Sequence, residues 1–201
     1  MIETNLRKTY QKICIDPVLR IKGLQKVHPI FLTYFAGFLG IGIFPALAFG
    51  FPLLAFALLV ISGFIDTLDG SLARHYEKSS PEGAALDILS DRVVEFAIIL
   101  GLYCVDPSSR SLPIIFMLGS ILICVTSFLI VGIFTKNDSE KSFYYSPGII
   151  ERAEAFIFFA IMILLPSTFF FLSYLFSFLV FLTAFIRIFQ FLKKMISITR
   201  E

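Results

Sequence analysis

A chain of 201 residues that is 57% hydrophobic, only 16% charged and of mean hydropathy +0.87 lies far from the composition of water-soluble domains, which excludes a soluble globule. A net charge of +2 gives no ground for a nucleic-acid partner, so none is expected. Three cysteines, Cys14, Cys104 and Cys124, are odd in number and widely spaced, which supports neither a disulfide framework nor a zinc cluster.

Residues 1–27 lack the uninterrupted apolar core and small-residue cleavage site of a secretory signal. They place Leu6, Tyr10, Ile13, Val18, Ile21 and Leu24 among Arg7, Lys8, Lys12, Arg20, Lys22 and Lys26. That pattern predicts a juxtamembrane, interfacial amphipathic helix interrupted at Pro17, although the same charges serve equally as a bare topology signal.

Residues 28–195 read as one all-α integral membrane domain of six transmembrane helices. Residues 27–65 contain no Asp, Glu, Lys or Arg. As a single helix they would reach ~58 Å, against a hydrocarbon core of ~30 Å, so the stretch must fold back near Gly50 and Pro52. Span one is expected over 29–49 with a kink at Pro45, span two over 52–74, span three over 83–105 and span four over 112–135. The uncharged stretch 155–186 is also too long for one crossing and turns at Pro166, Ser167 and Thr168, giving spans five and six. Basic residues flank both ends of the domain, with Lys78, Lys136 and Lys141 in connections on that side and Arg110 alone opposite. A multi-pass protein of a bacterial or archaeal cell membrane, with both termini cytoplasmic, is the expected arrangement.

Span two ends in ISGFIDTLDGSLARHYEK, with Asp66 and Asp69 inside the boundary of the bilayer. On helical spacing Asp66, Asp69, Gly70, Ala73 and Arg74 share one face; Gly83, Asp87 and Asp91 share the answering face of span three. Four converging carboxylates need cations or protons, since two of them 4 Å apart repel by about 4 kcal/mol at an effective dielectric near 20. All-aspartate ligation selects Mg²⁺, Mn²⁺ or Ca²⁺ over zinc, and such ions draw phosphate oxygens. Gly70, Ala73 and Gly83 would let a diphosphate or nucleotide approach the backbone, and Arg74 is placed for a phosphate. An ion-pair network of Asp69 with Arg74, or Asp91 with Arg92, is the structural alternative. It is disfavoured because seven acids face three bases between Asp66 and Glu95. A carboxylate-based ion or metal transporter is the functional alternative, against which stand the location away from the midplane and the lack of an internal repeat.

Asp66-x2-Asp69-Gly70-x2-Ala73-Arg74-x8-Gly83-x3-Asp87-x3-Asp91 resembles, without a gap, the signature of the CDP-alcohol phosphotransferase family. The resemblance implies transfer of a phosphatidyl group from CDP-diacylglycerol to a small polar alcohol in phospholipid biosynthesis, with release of CMP. It implies a two-metal site of Mg²⁺ or Mn²⁺ on Asp66, Asp69, Asp87 and Asp91, with Asp91 doubling as the catalytic base. It also implies a CDP pocket of Asp69, Gly70, Ala73, Arg74 and Gly83, and a homodimer in a lipid membrane. One departure is visible. The family's first span commonly opens Pro-Asn-x-x-Thr, whereas here it reads Pro29-Ile30-Phe31-Leu32-Thr33.

Around span five, Gly148 to Glu154 and Asp91-Arg92-x2-Glu95 resemble the phosphatidylinositol phosphate and archaetidylinositol phosphate synthase subgroup. Inositol phosphate and glycerol-3-phosphate are then rival acceptors, both phosphorylated, and Arg152, Lys141 and Arg187 are the candidate acceptor ligands. Snorkelling to the cytoplasmic surface is the alternative for Arg187. Neither His28 nor His75 is assigned a role.

Overall fold

The computed structural model describes residues 10–21, 23–134 and 148–198. Leu6, Lys136 and Lys141 therefore lie outside the described residues. The chain opens with one wide π-helical turn, Gln11–Ile15, that runs directly into helix α1, Asp16–Leu19. Pro17 accounts for the change of pitch. It has no N–H to offer the Ile13 carbonyl, and the wide turn, closed by the Asp16 N–H on the Gln11 carbonyl, ends just before it. The expected interruption is thus a change of helix type. The buried side chains here are Ile15 and Leu19, whereas Tyr10, Ile13 and Ile21 of the expected stripe are exposed. The stripe assumed a uniform 3.6-residue period, which the π turn does not keep.

Helix α2, Pro29–Ile41, and helix α3, Ile43–Ala48, form one apolar rod bent at Gly42. The bend precedes Pro45 because a proline disturbs the carbonyl four residues back, here that of Ile41. The chain then reverses at Gly50, whose φ of +78° is left-handed and suited to glycine. Helix α4, Pro52–His75, starts with proline in its first turn, where no N–H is needed. Helix α5, Pro81–Val105, is capped by Ser80, whose Oγ accepts from the Gly83 N–H at 3.1 Å. Asp106 separates α5 from helix α6, Pro107–Phe134, which begins five residues before the expected 112. The Asp106 carboxylate accepts the Ser108 and Ser109 hydroxyls and the Ser109 N–H, bonds that hold its pKa below the usual carboxylate value. Helix α7, Arg152–Leu164, opens with a reciprocal capping box between Glu151 and Glu154. A 3₁₀ turn at Pro166–Thr168 makes the anticipated reversal into helix α8, Phe169–Ile198.

The described residues are all-α. Among the described residues four segments are long and apolar enough to cross a membrane: Pro29–Ala48, Pro52–His75, Pro107–Phe134 and Pro166–Lys193. Helix α5 has the length, but carries Glu82, Asp87, Asp91, Arg92 and Glu95 between its first turn and its middle. Helix α7, with 13 residues, reaches only ~20 Å. A core of Ile98, Leu102, Met117, Phe159, Phe169 and Phe176 joins α5, α6, α7 and α8.

Helices α2, α4 and α5 approach closely through small residues. The Ser62 hydroxyl of α4 donates to the Ala36 carbonyl of α2 at 2.8 Å. A Cβ on Gly37 would lie 2.6 Å from Ser90 Oγ, and one on Gly40 would collide with the Val94 side chain. Gly40→Ala is therefore expected to destabilise the detergent-solubilised protein by roughly 1–3 kcal/mol through overpacking. Gly119→Ala, whose Cβ would meet nothing within 4 Å, should be close to neutral. Equal thermal stability of the two variants would show that α2 and α5 do not pack this tightly.

Candidate active site

The last turns of α4 and the first turns of α5 meet at one end of the bundle. Asp66 and Asp69 are buried there on α4, and carboxylate oxygens of Asp66, Asp69 and Asp87 all lie within 4.8 Å of one another. Ligand atoms on opposite sides of a Mg²⁺ ion are roughly 4 Å apart, so the three need move little to share one. Asp69 Oδ2 accepts from Thr33 Oγ1 of α2 at 2.5 Å. Asp87 Oδ1 is buried and accepts no hydrogen bond. An orphaned carboxylate oxygen in an all-oxygen cluster fits a hard divalent cation.

Asp91, one turn beyond Asp87, faces Arg152 from the start of α7. Arg152 Nη2 lies 2.6 Å from Asp91 Oδ1, and its Nη1 pairs with Asp66. The guanidinium thus ties α7 to both α4 and α5, with its carbon 5.7 Å from the centre of the Phe156 ring. Arg92 pairs with Glu95 at 2.7 Å. Arg152, which pairs with both helices here, stands about sixty positions beyond the motif, where sequence spacing could not indicate it.

Two cavities meet at the aspartates. The smaller, of about 160 Å³, is lined by Asp69, Gly70, Ala73, Arg74 and Gly83, all five residues expected to line a nucleotide pocket, together with Asp87. Thr33, Lys78, Ser79 and Ser80 add polar groups, and Ile30, the departure from the family pattern, forms part of the wall. The larger cavity, of about 510 Å³, has Asp66, Asp69, Asp87, Arg74 and Arg152 at its polar end. Val60, Gly63, Phe64, Phe156 and Ile157 form an apolar remainder. Asp69, Gly70, Arg74 and Asp87 border both spaces.

Arg187 lines neither cavity. Its Nη1 donates to the Cys124 carbonyl at 3.1 Å and to Ser127 Oγ at 3.2 Å, which binds α8 to α6. His28 stands at the start of α3's neighbour α2, and His75 packs edge-on against Tyr76. Thr33, which the motif does not include, joins the site through Asp69. Its only signal was its place in the Pro-x-x-x-Thr opening of the first span.

Residues 26–190 match the family described as CDP-alcohol phosphatidyltransferase. The inner membrane protein YnjF of Escherichia coli (strain K12) is 27% identical over 184 residues, which cover 88% of this chain and 89% of that protein. An uncharacterized protein of Aquifex aeolicus is 36% identical over 90 residues, 44% of this chain and 45% of its own length. The bifunctional IPC transferase and DIPP synthase of Archaeoglobus fulgidus is 32% identical over 105 residues, 52% of this chain and 21% of that longer protein. With the family match extending over most of the apolar helices and the whole aspartate site, the chain belongs to the CDP-alcohol phosphatidyltransferase family.

Proposed function

We propose that the protein transfers a phosphatidyl group from CDP-diacylglycerol to a small phosphorylated alcohol at the cytoplasmic membrane face, releasing CMP for each phospholipid precursor formed. The observation that carries this reading is the junction of a smaller, more polar cavity and a larger, mainly apolar one at a cluster of buried aspartates. A donor that is a nucleotide at one end and a lipid at the other needs two such compartments on either side of its diphosphate.

In this reading Gly70, Ala73 and Gly83 leave room beside the backbone for the CDP moiety, and Arg74 meets the diphosphate. Val60, Phe64, Phe156 and Ile157 receive the acyl end, entering sideways from the bilayer. Asp66, Asp69, Asp87 and Asp91 would hold Mg²⁺ or Mn²⁺; bound there, two such ions neutralise the diphosphate and the charge developing on CMP. Asp91 accepts the proton of the acceptor hydroxyl as its oxygen attacks the phosphorus bearing the diacylglycerol, and the bond from that phosphorus to the CMP oxygen breaks. Arg152, at the polar end of the larger cavity, orients Asp91 and is the cation nearest to where an acceptor phosphate would arrive. Glycerol-3-phosphate and inositol phosphate are the two acceptors of that chemistry.

Six crossings with both termini cytoplasmic accompany this assignment, the two additional to the four apolar segments being α5 and α7. Their polar or short ends are where the site lies. Fusion reporters at Met1 and Glu201 should report cytoplasm, and one at Ser109 the opposite side. Termini on opposite sides would refute an even number of crossings.

Purified protein with CDP-diacylglycerol, Mg²⁺ or Mn²⁺ and a panel of alcohols should form CMP with glycerol-3-phosphate or inositol phosphate, and lose that activity in chelator. Asp91→Asn should lower turnover at least ~100-fold, the lower range for removal of a general base. A folded Asp91→Asn protein with full activity would remove the role assigned to it. Turnover with serine or unphosphorylated inositol alone would show that the acceptor phosphate is wrongly inferred.

Removing the cation that holds Asp66 and Asp91 in the absence of metal should be felt most in that state. Arg152→Gln is expected to lower the melting temperature by roughly 2–8 °C in chelator, from about 1–2 kcal/mol for a partly exposed double pair. Mg²⁺ should then restore more of the loss than it adds to the wild type. An equal Mg²⁺ shift in both proteins would show that guanidinium and metal do not share these carboxylates.

A further inference from the structure

The family signature leaves Ser71 as an unspecified position and stops well short of residue 11, yet both are tied to its arginine. Gln11 is the first residue of the π turn. Its Oε1 accepts from Ser71 Oγ on α4 at 3.1 Å. Ser71 Oγ in turn accepts from Arg74 Nη2 at 3.3 Å. Gln11 is itself oriented, because its Nε2 donates to Asp16 Oδ1 at 3.2 Å. The backbone carrying it is anchored by Ile15 and Leu19, buried among Leu68 and Leu72, and by the Tyr76 hydroxyl on the Leu19 carbonyl at 3.0 Å. The preceding residue, Tyr10, borders the larger cavity.

We propose that Gln11 is a positioning residue: through Ser71 it holds the Arg74 guanidinium at the junction of the two cavities, so that the N-terminal segment forms part of the site for the donor's diphosphate. This rests on the reading that Arg74 meets that diphosphate. A serine hydroxyl has one proton. In a helix its default acceptor is the carbonyl three or four residues back, an arrangement that turns its lone pairs off the helix surface. The Gln11 carbonyl oxygen draws that proton outward instead, which leaves a lone pair of Ser71 facing Arg74. The long arginine side chain is thereby restricted to a rotamer that reaches both cavities.

The test uses the full chain in lipid nanodiscs, with CDP binding in the presence of Mg²⁺ measured by calorimetry and CMP formation measured alongside it. Gln11→Leu and Ser71→Ala should each weaken CDP binding and raise the donor KM roughly three- to tenfold, as loss of one neutral hydrogen bond would. The kcat should stay within about twofold and the acceptor KM should not move. Ser71→Thr, which keeps the hydroxyl, should restore binding. In an Arg74→Ala background Gln11→Leu should add nothing further, because the two act in one chain. Unchanged CDP affinity in Gln11→Leu, or a full effect persisting without Arg74, would overturn the proposal. CDP binding by the wild type with no CMP formed from any acceptor would overturn the proposed reaction and leave the role of Gln11 to be decided by the binding data. Absence of both binding and turnover would overturn the two together.

Discussion

Mutual repulsion among carboxylates inside an apolar bundle is the constraint to which the other elements answer. Asp66, Asp69 and Asp87 bring oxygens within 4.8 Å of one another, with Asp91 a turn away. Such a group assembles only if each neighbour supplies a compensating contact. Helix α2 brings the Thr33 hydroxyl, α7 brings the Arg152 guanidinium, and the α4–α5 connection brings the Ser80 cap that starts the second pair of aspartates in helical register. Close packing through Gly37, Gly40 and Ser62 is the mechanical counterpart, since Thr33 reaches Asp69 only if α2 lies nearly against α4 and α5. Fold and site are in this sense one problem. The small residues set the distance at which the charges are held.

The same geometry explains why the two cavities differ in character. Toward the connection at 76–80, the α4 and α5 ends present backbone, hydroxyls and Lys78, so the smaller space is the more polar of the two. Toward the interior, α4 faces α7 through Val60, Gly63, Phe64 and Phe156, and the larger space is apolar. Gly63 matters at this seam. A Cβ there would lie 2.7 Å from the Phe156 ring, so its absence lets the aromatic wall close against α4. Asp69 and Asp87 stand on the boundary, where a molecule lying through both spaces would present its most charged part.

What could be read in the sequence was what depends on local period. Uncharged length located the reversals at Gly50 and Pro166, and i, i+3, i+4 spacing put Asp66, Asp69, Gly70, Ala73 and Arg74 on one face, from which Asp69, Gly70, Ala73 and Arg74 line the smaller cavity and Asp66 the larger. What could not be read depends on how distant segments turn toward one another. Arg152 and Arg187 look alike in sequence, each a lone arginine at the edge of an apolar run. Rotation of α7 aims the first at Asp66 and Asp91, and rotation of α8 aims the second at Cys124 and Ser127. The kink assigned to Pro45 was displaced to Gly42 because a proline acts on the carbonyl four residues behind it. The apolar stripe of the N-terminal segment drifted to Ile15 and Leu19 because a π turn breaks the assumed period.

Ile30 is the place where this chain differs from its relatives' usual pattern at the site itself, and its position shows what the difference entails. It stands on the wall of the smaller cavity, with its Cγ1 3.9 Å from where a Cβ on Gly83 would be. An amide at that point would offer a donor and an acceptor; isoleucine offers only an apolar surface. The α2 side of this space is therefore apolar at residue 30, and hydrogen-bonding groups stand across the cavity. There Lys78, Ser79 and Ser80 stand, with Thr33 already engaged by Asp69. The substitution puts an apolar side chain on the α2 side of this cavity and leaves the polar groups to α4, α5 and their connection. It leaves the aspartates untouched, because none of their described partners is residue 30.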